Sequence, residues 1–429
     1  MKLIVKPSTL QGAVNIPGSK SHTIRAVAIA ALASGESLIE QPLESADGRA
    51  AFDAYQALGA EITAEQGAWR VQGLGGLVRA PENVIDVGNS GTTMRIAMGS
   101  AALLKEGAAV LTGDEQIRRR PNGPLAQALN DLGAKVHSTR RNGNPPFVVE
   151  GPLWGGACTF EALTSQYVTA LLINTPLAER DTIIHVPVLH EKPYVHITLD
   201  WIRRHGITVE HDEELSEFHI LAGQAYTPVH RRIPGDFSSA TFFLAAGALA
   251  GNSVTSLGLD MNDTQGDKAV VDYLRALGAT IDISDNGVAV SAKNLQGQEI
   301  DLNATPDALP MMAALACFSQ GETRLVNAPQ ARVKETDRIA VMCQELTKLG
   351  ADIEELPDGL IIRESQLHAA EVEGHDDHRI VMSLAIAASQ INGETTINGY
   401  EAVNVTYPTF LEAFQGLGGE ARVEGENHA

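Results

Sequence analysis

Cysteine is scarce in this chain. Cys158, Cys317 and Cys343 are the only three in 429 residues. Their scatter excludes a disulfide framework and the close pairs that structural metal sites use, which leaves reduced thiols. Positive charge is also short: 32 Lys and Arg stand against 53 Asp and Glu, a net charge of −21. Duplex nucleic acid and anionic membranes are poor partners for such a chain. Any anionic substrate must instead be met by a local cluster of cations. No segment approaches about 18 uninterrupted apolar residues, and the opening "MKLIVKPSTLQGAVNIPGSK" has no apolar core of signal-peptide length. The expectation is a soluble cytoplasmic protein. What the chain does have is 44% hydrophobic and only 20% charged residues. That is ample for buried cores, and the length favours two or more domains.

Internal repetition is the strongest signal. A helix end running through Leu-Gly-Ala or a variant into a short strand recurs as "ALGAEIT", "DLGAKV", "RHGITVE", "ALGATIDI", "KLGADIEE" and "GLGGEARV". The glycines, Gly59, Gly133, Gly206, Gly278, Gly350 and Gly418, are 74, 73, 72, 72 and 68 residues apart. Each stands where the residue after a helix adopts a left-handed conformation. A parallel series, "SGESLIE", "EGAAVLT", "RDTIIHV", "GNSVTSL", "QGETRLV" and "NGETTIN", reads as turns into β-branched strands. A third comprises six apolar helices, opening at "SKSHTIRAVAIAAL", "NSGTTMRIAMGSAAL", "TSQYVTALLINT", "SSATFFLAAGALA", "PDALPMMAALACF" and "DDHRIVMSLAIAAS". Ser, Asn, Thr and Asp crowd their starts, as N-caps require, and their bodies are apolar all round, as buried helices are. Six units of this length suit two domains of three, with the midpoint near the Pro-Gly turn of "RRIPGDFSS" at 234–235.

Candidate chemistry collects at the helix starts, where the macrodipole is positive. Lys20 and Arg25 flank the first, Arg95 lies in the first turn of the second, and Arg379 opens the sixth. A cation there opposes the dipole, which a bound anion would explain. "GDEQIRRRPNGPL" adds Arg118, Arg119 and Arg120. "QARVKETDRIAVM" adds Arg332, Lys334 and Arg338 with Glu335 and Asp337 interleaved, readable either as site or as an i,i+4 salt-bridged helix face. Asp307, in the first turn of the fifth helix, reads as a dipole partner or as a base whose ionised form its neighbours hold. His375 and His378 of "GHDDHR" lack a companion cluster to complete a metal site.

"PGSKSHTIRA", "GNSGTTMR", "RRRPNGPL", "TSQYVTALL", "PGDFSSATFFLAA", "RVKETDRI" and "DDHRIVM" occur here in an order that resembles the 5-enolpyruvylshikimate-3-phosphate (EPSP) synthase family of enolpyruvyl transferases. The resemblance spans essentially the whole chain. It implies an α/β (α+β) fold: a two-domain, inside-out α/β barrel of six βαβαββ repeats, three per domain, with the active site in the interdomain cleft. Residues 19–234 would form the acceptor-binding domain, and 1–18 with 235–429 the other. The implied activity is transfer of the enolpyruvyl group of phosphoenolpyruvate to the 5-hydroxyl of shikimate 3-phosphate, without metal or organic cofactor, by a monomer.

The resemblance also implies roles. Lys20, Gly91, Arg120, Gln166, Arg338 and Arg379 would hold phosphoenolpyruvate. Ser21, Arg25, Asp307 and Lys334 would bind the acceptor, and Thr164, Ser165 and Gln166 would lie at its phosphate. Asp307, with or without Lys334, would be the base, Glu335 or Lys20 the acid, and His378 an orienting group. Gly91 would leave room for glyphosate, although Ile96 stands where some sensitive members have proline. Three positions depart from the family pattern. Glu191 in "LHEKPYVHITL" replaces a serine at the acceptor's phosphate, His196 replaces an acidic residue, and Val405 in "NVTYPTF" replaces a lysine. Glu191 leaves open a paralogue acting on another, possibly unphosphorylated, polyol. The related UDP-N-acetylglucosamine transferases carry a reactive cysteine in the loop corresponding to "GDEQIRRRP", and none is present here.

Overall fold

A computed structural model of the chain describes residues 1–285 and 287–425. They form two compact units: 18–233, and 1–17 together with 234–429. Each unit contains three inner helices. In the first these are Lys20–Leu32, Gly91–Ala101 and Gln166–Asn174. In the second they are Phe237–Ala248, Leu309–Ala316 and His378–Ala388. Nearly every residue of all six is buried, as their all-round apolar sequences require. Ser90, Asp236 and Asp377 cap their helices by accepting from backbone N–H groups of the first turn. The fifth helix is entered instead through a 3₁₀ turn, Pro306–Ala308, which carries Asp307.

Three four-stranded sheets surround the inner helices of each unit, and all six sheets share one topology. A strand following an inner helix pairs in parallel with an edge strand and antiparallel with a third strand. That third strand pairs antiparallel with a fourth. In one example, Ala109–Thr112 lies between Ile85–Asp86 and Phe147–Glu150, and the latter pairs with Lys135–Ser138. Three sheets are completed from afar, one of them by Gln11–Asn15 as the parallel edge beside Ser253–Leu257. His230–Arg232 supplies the parallel edge beside Ser34–Glu40. The N-terminal strand Lys2–Val5 sits between Thr395–Asn398 and Ala421–Glu424. That pairing places the first residues with the C-terminal half of the chain.

Each repeat has an outer helix, and every outer helix stops in the same way. Gly59, Gly133, Gly206, Gly278, Gly350 and Gly418 have φ between 93 and 105°. Following Gly59, the Ala60 N–H reaches back to the Tyr55 carbonyl while the Gly59 N–H reaches Gln56. The same pair of bonds forms after the other five helices. Only glycine takes this conformation without a Cβ clash, so the spacing of the glycines records the repeat.

Side chains on the inner helices form one hydrophobic core per unit. The backbones of Gly91–Ala101 and Gln166–Asn174 approach closely through Gly99, where a Cβ would lie 2.5 Å from Asn174 Nδ2. Among the described residues, no helix is long and apolar enough to cross a membrane.

Candidate active site

The first unit gathers its polar groups at the starts of its inner helices. Lys20, the first residue of its helix, donates to Asp47 Oδ2 at 3.0 Å. Asp47 lies in the first turn of the outer helix Ala46–Ala57. The sequence marked Lys20 as a cation against the dipole, and a carboxylate of the chain offsets that charge. Only this fold brings the two together.

Arg25 is 1% exposed. Its four hydrogen bonds go to neutral oxygens: Thr198 Oγ1, the Ser21 carbonyl, Thr169 Oγ1 and the Tyr194 carbonyl, at 2.8–3.2 Å. Burial pushes its guanidinium down to about 10. Ser21 thus enters the arrangement through its backbone. Thr169, Thr198 and Tyr194 had no role in the sequence reading, and "YVTALLIN" and "KPYVHITL" show why: each reads as ordinary helix.

Gly91, Arg95, Arg120 and Gln166 are brought together. Arg95 Nη1 donates to Gln166 Oε1 at 2.5 Å and Nη2 to the Pro121 carbonyl. Arg120 donates to Asn89 Oδ1. Burial lowers the Arg95 pKa, and the charge of Arg120 lowers it further. Two guanidiniums that repel in a dry place define a position where an anion relieves the strain. A Cβ on Gly91 would lie 2.8 Å from a terminal nitrogen of each arginine.

Thr164 and Ser165 converge at the start of Gln166–Asn174. The anion there is the chain's own. Glu191 Oε2 accepts from Thr164 Oγ1 at 3.2 Å, Ser165 N at 3.1 Å and Ser165 Oγ at 2.9 Å. Lys192, next to Glu191 in sequence, is engaged by Glu214 at 2.9 Å. His196, on the same helix as Lys192, has its imidazole pKa lowered by burial and by nearby His211 and Lys192.

The second unit builds a denser cluster. Asp307 Oδ1 accepts from Arg338 Nη1 at 2.8 Å, with Lys334 Nζ at 3.9 Å, and its Oδ2 lies 3.1 Å from Arg379 Nη2. Arg338, 1% exposed, also donates to Glu335 at 2.5 Å and through Nε and Nη2 to Asp377 at 2.7 and 3.2 Å. Burial alone would lower its pKa, but Asp377, Glu335 and Asp307 more than offset this and hold it raised. Sequence reading placed Asp377 only in a motif. Here it caps His378–Ala388 and anchors Arg338 at once.

"RVKETDR" is not a helix face. Arg332 lies in the last turn of a 3₁₀ stretch, Pro329–Val333, Asp337 caps the helix Arg338–Lys348, and Lys334 and Glu335 lie in the connection between them. Arg332 pairs outward with Asp337 and Glu355. The two histidines of "GHDDHR" diverge as well: His375 meets Glu345 at 2.8 Å, while buried His378 lies 3.9 Å from Asp377. Val405 ends the 3₁₀ helix Tyr400–Val405.

Repeated clusters of arginine and lysine at buried helix starts, joined by a carboxylate in a cationic setting, are the equipment of an enzyme for small polyanions. Comparison narrows the class. The family model for EPSP synthase (3-phosphoshikimate 1-carboxyvinyltransferase) matches residues 4–414. The chain is 52% identical over 420 residues to a Ruminiclostridium cellulolyticum protein named 3-phosphoshikimate 1-carboxyvinyltransferase, covering 98% of this chain and 99% of that protein. A Halobacterium salinarum protein of the same name is 44% identical over 431 residues, with 98% and 99% covered. The solved EPSP synthase from Acinetobacter baumannii matches with a TM-score of 0.83 at 27% identity, covering 98% of this chain and 100% of that one. The chain belongs to the EPSP synthase family.

Proposed function

We propose that this chain, as a monomer, transfers the enolpyruvyl group of phosphoenolpyruvate to the 5-hydroxyl of shikimate 3-phosphate and releases inorganic phosphate. The observation that carries this reading is Asp307 set among Lys334, Arg338 and Arg379 in a chain 52% identical to a named 3-phosphoshikimate 1-carboxyvinyltransferase. The family match over 4–414 favours this acceptor over a different polyol.

In the proposed reaction Asp307 takes the proton of the acceptor hydroxyl, with Lys334 holding the oxygen's developing charge. That oxygen attacks C2 of phosphoenolpyruvate while Glu335 or Lys20 gives a proton to C3. The tetrahedral ketal phosphate then loses a C3 proton and its phosphate, leaving the enol ether. Lys20, Arg120, Gln166, Arg338 and Arg379 bind phosphoenolpyruvate, whose carboxylate and phosphate suit guanidinium forks. Arg25, buried among neutral oxygens, takes up the acceptor's carboxylate region with Ser21. Thr164 and Ser165 take up its phosphate. Fixed cations supply the stabilisation, so the residues of the chain suffice for the proton transfers and the charge.

The route is tested with phosphoenolpyruvate labelled with oxygen-18 in its bridging position. Addition and elimination break the C–O bond, so the label is expected in the released phosphate. Label retained on the carbon skeleton would sink the proposal.

Gly91→Ala tests the phosphoenolpyruvate assignment. The added methyl presses on the tips of Arg95 and Arg120, the far ends of long side chains, and displaces them from their present positions. The KM for phosphoenolpyruvate is expected to rise roughly tenfold, about 1.4 kcal/mol, with the acceptor KM little changed. Glyphosate, as a phosphoenolpyruvate mimic, is expected to lose affinity in the same variant. Steady-state kinetics with each substrate varied separately would show an unchanged phosphoenolpyruvate KM if the assignment is wrong.

A further inference from the structure

We infer that Glu191 is a tethered competitor for the acceptor's anionic group and so sets the affinity of this chain for a phosphorylated acceptor. The inference rests on the placement of that phosphate at Thr164 and Ser165 proposed above.

Glu191 is 1% exposed, and Lys192 beside it in sequence turns to Glu214. Its Oε2 receives two hydroxyls and one backbone N–H at the opening of a nine-residue helix. Its own backbone precedes the helix Lys192–Arg204 with φ 58° and ψ 38°, a left-handed conformation that a residue with a Cβ adopts at an energetic cost. Arg95 lies within its electrostatic reach. A buried carboxylate on a left-handed backbone thus delivers one oxygen to three donors. The same three donors match a phosphate oxygen equally well.

Both anions cannot occupy the position. A phosphorylated acceptor must displace the Glu191 carboxylate, so its apparent affinity is its intrinsic affinity reduced by the fraction of molecules in which the pocket is vacated. An acceptor without a phosphate leaves Glu191 in place and is not penalised. Glu191 thereby narrows the preference for the phosphorylated acceptor over its neutral counterpart.

The test compares the full chain with Glu191→Ser and Glu191→Gln. Shikimate 3-phosphate and shikimate are titrated separately by calorimetry, and the KM of each substrate is measured. Glu191→Ser is expected to bind shikimate 3-phosphate at least about tenfold more tightly, with shikimate and phosphoenolpyruvate unaffected. Glu191→Gln, near-isosteric and neutral, keeps an oxygen for the Ser165 N–H, so it guards against a folding defect in the serine variant and should fall between the two. Unchanged or weaker binding of shikimate 3-phosphate in both variants, with turnover intact, overturns the inference alone and makes Glu191 a structural strut. Absence of binding and turnover in all three proteins overturns the proposed function together with it.

Discussion

Asp307→Ala is expected to lower kcat about a thousandfold while leaving phosphoenolpyruvate binding no weaker than before. A positioned general base contributes roughly 10²–10⁴ to rate, and Asp307 is in reach of Lys334, Arg338 and Arg379 together. Removing it releases the Arg379 guanidinium from its 3.1 Å contact, which favours rather than hinders an anionic substrate. Loss of rate without loss of binding is therefore the signature of a base. Asp307→Asn, which keeps the shape and loses the proton acceptor, should behave in the same way. A fall of less than about tenfold in either variant would transfer the role to another group, Lys334 first.

Arg338→Ala is expected to destabilise the unit of 1–17 and 234–429 by about 3–5 kcal/mol, because it strands buried carboxylates that one guanidinium satisfied. Asp377 is fully buried, and Glu335 loses its 2.5 Å partner, while Asp307 keeps Lys334 and Arg379 as cationic neighbours. Arg338→Lys should fall between, since a compact ammonium restores charge but cannot span Asp307, Glu335 and Asp377 as a planar fork does. The measurement is urea unfolding followed by two signals. Trp69, Trp154 and Trp201 are the only tryptophans, and all lie in the other unit. Far-ultraviolet circular dichroism should therefore lose early amplitude in Arg338→Ala while tryptophan fluorescence shifts less. Coincident, unshifted transitions would mean that the network adds little to stability.

The architecture could be read in advance where its determinants are local. A left-handed glycine after each outer helix is required by the termination itself, so six glycines at near-equal intervals carried the repeat into the sequence. The inner helices were legible because burial on all sides leaves no polar stripe. Strand pairing over long separations was not: nothing local ties Lys2–Val5 to Thr395–Asn398, and the family resemblance implied only that residues 1–18 go with 235–429. Site residues divide along the same line. Lys20, Asp307 and Arg379 stood out as charges at helix starts. Asp47 and Asp377 did not, because an acidic residue beside a cap is accounted for by the helix dipole alone. Their second role, facing a cation, arises only when distant elements meet. "RVKETDR" was ambiguous for the opposite reason: its spacing fits a salt-bridged helix, and the chain enters the helix only at Arg338. Glu191 was recognised as out of place, yet its direction depends on a left-handed backbone that the sequence does not announce.

The central claim is carboxyvinyl transfer to shikimate 3-phosphate. Phosphate release from phosphoenolpyruvate, followed with shikimate 3-phosphate and then with unphosphorylated shikimate, tests it most directly. Release with the 3-phosphate, abolished in Asp307→Ala, is the expected result. Release only with shikimate, or with neither, would contradict it and send the search to other acceptors.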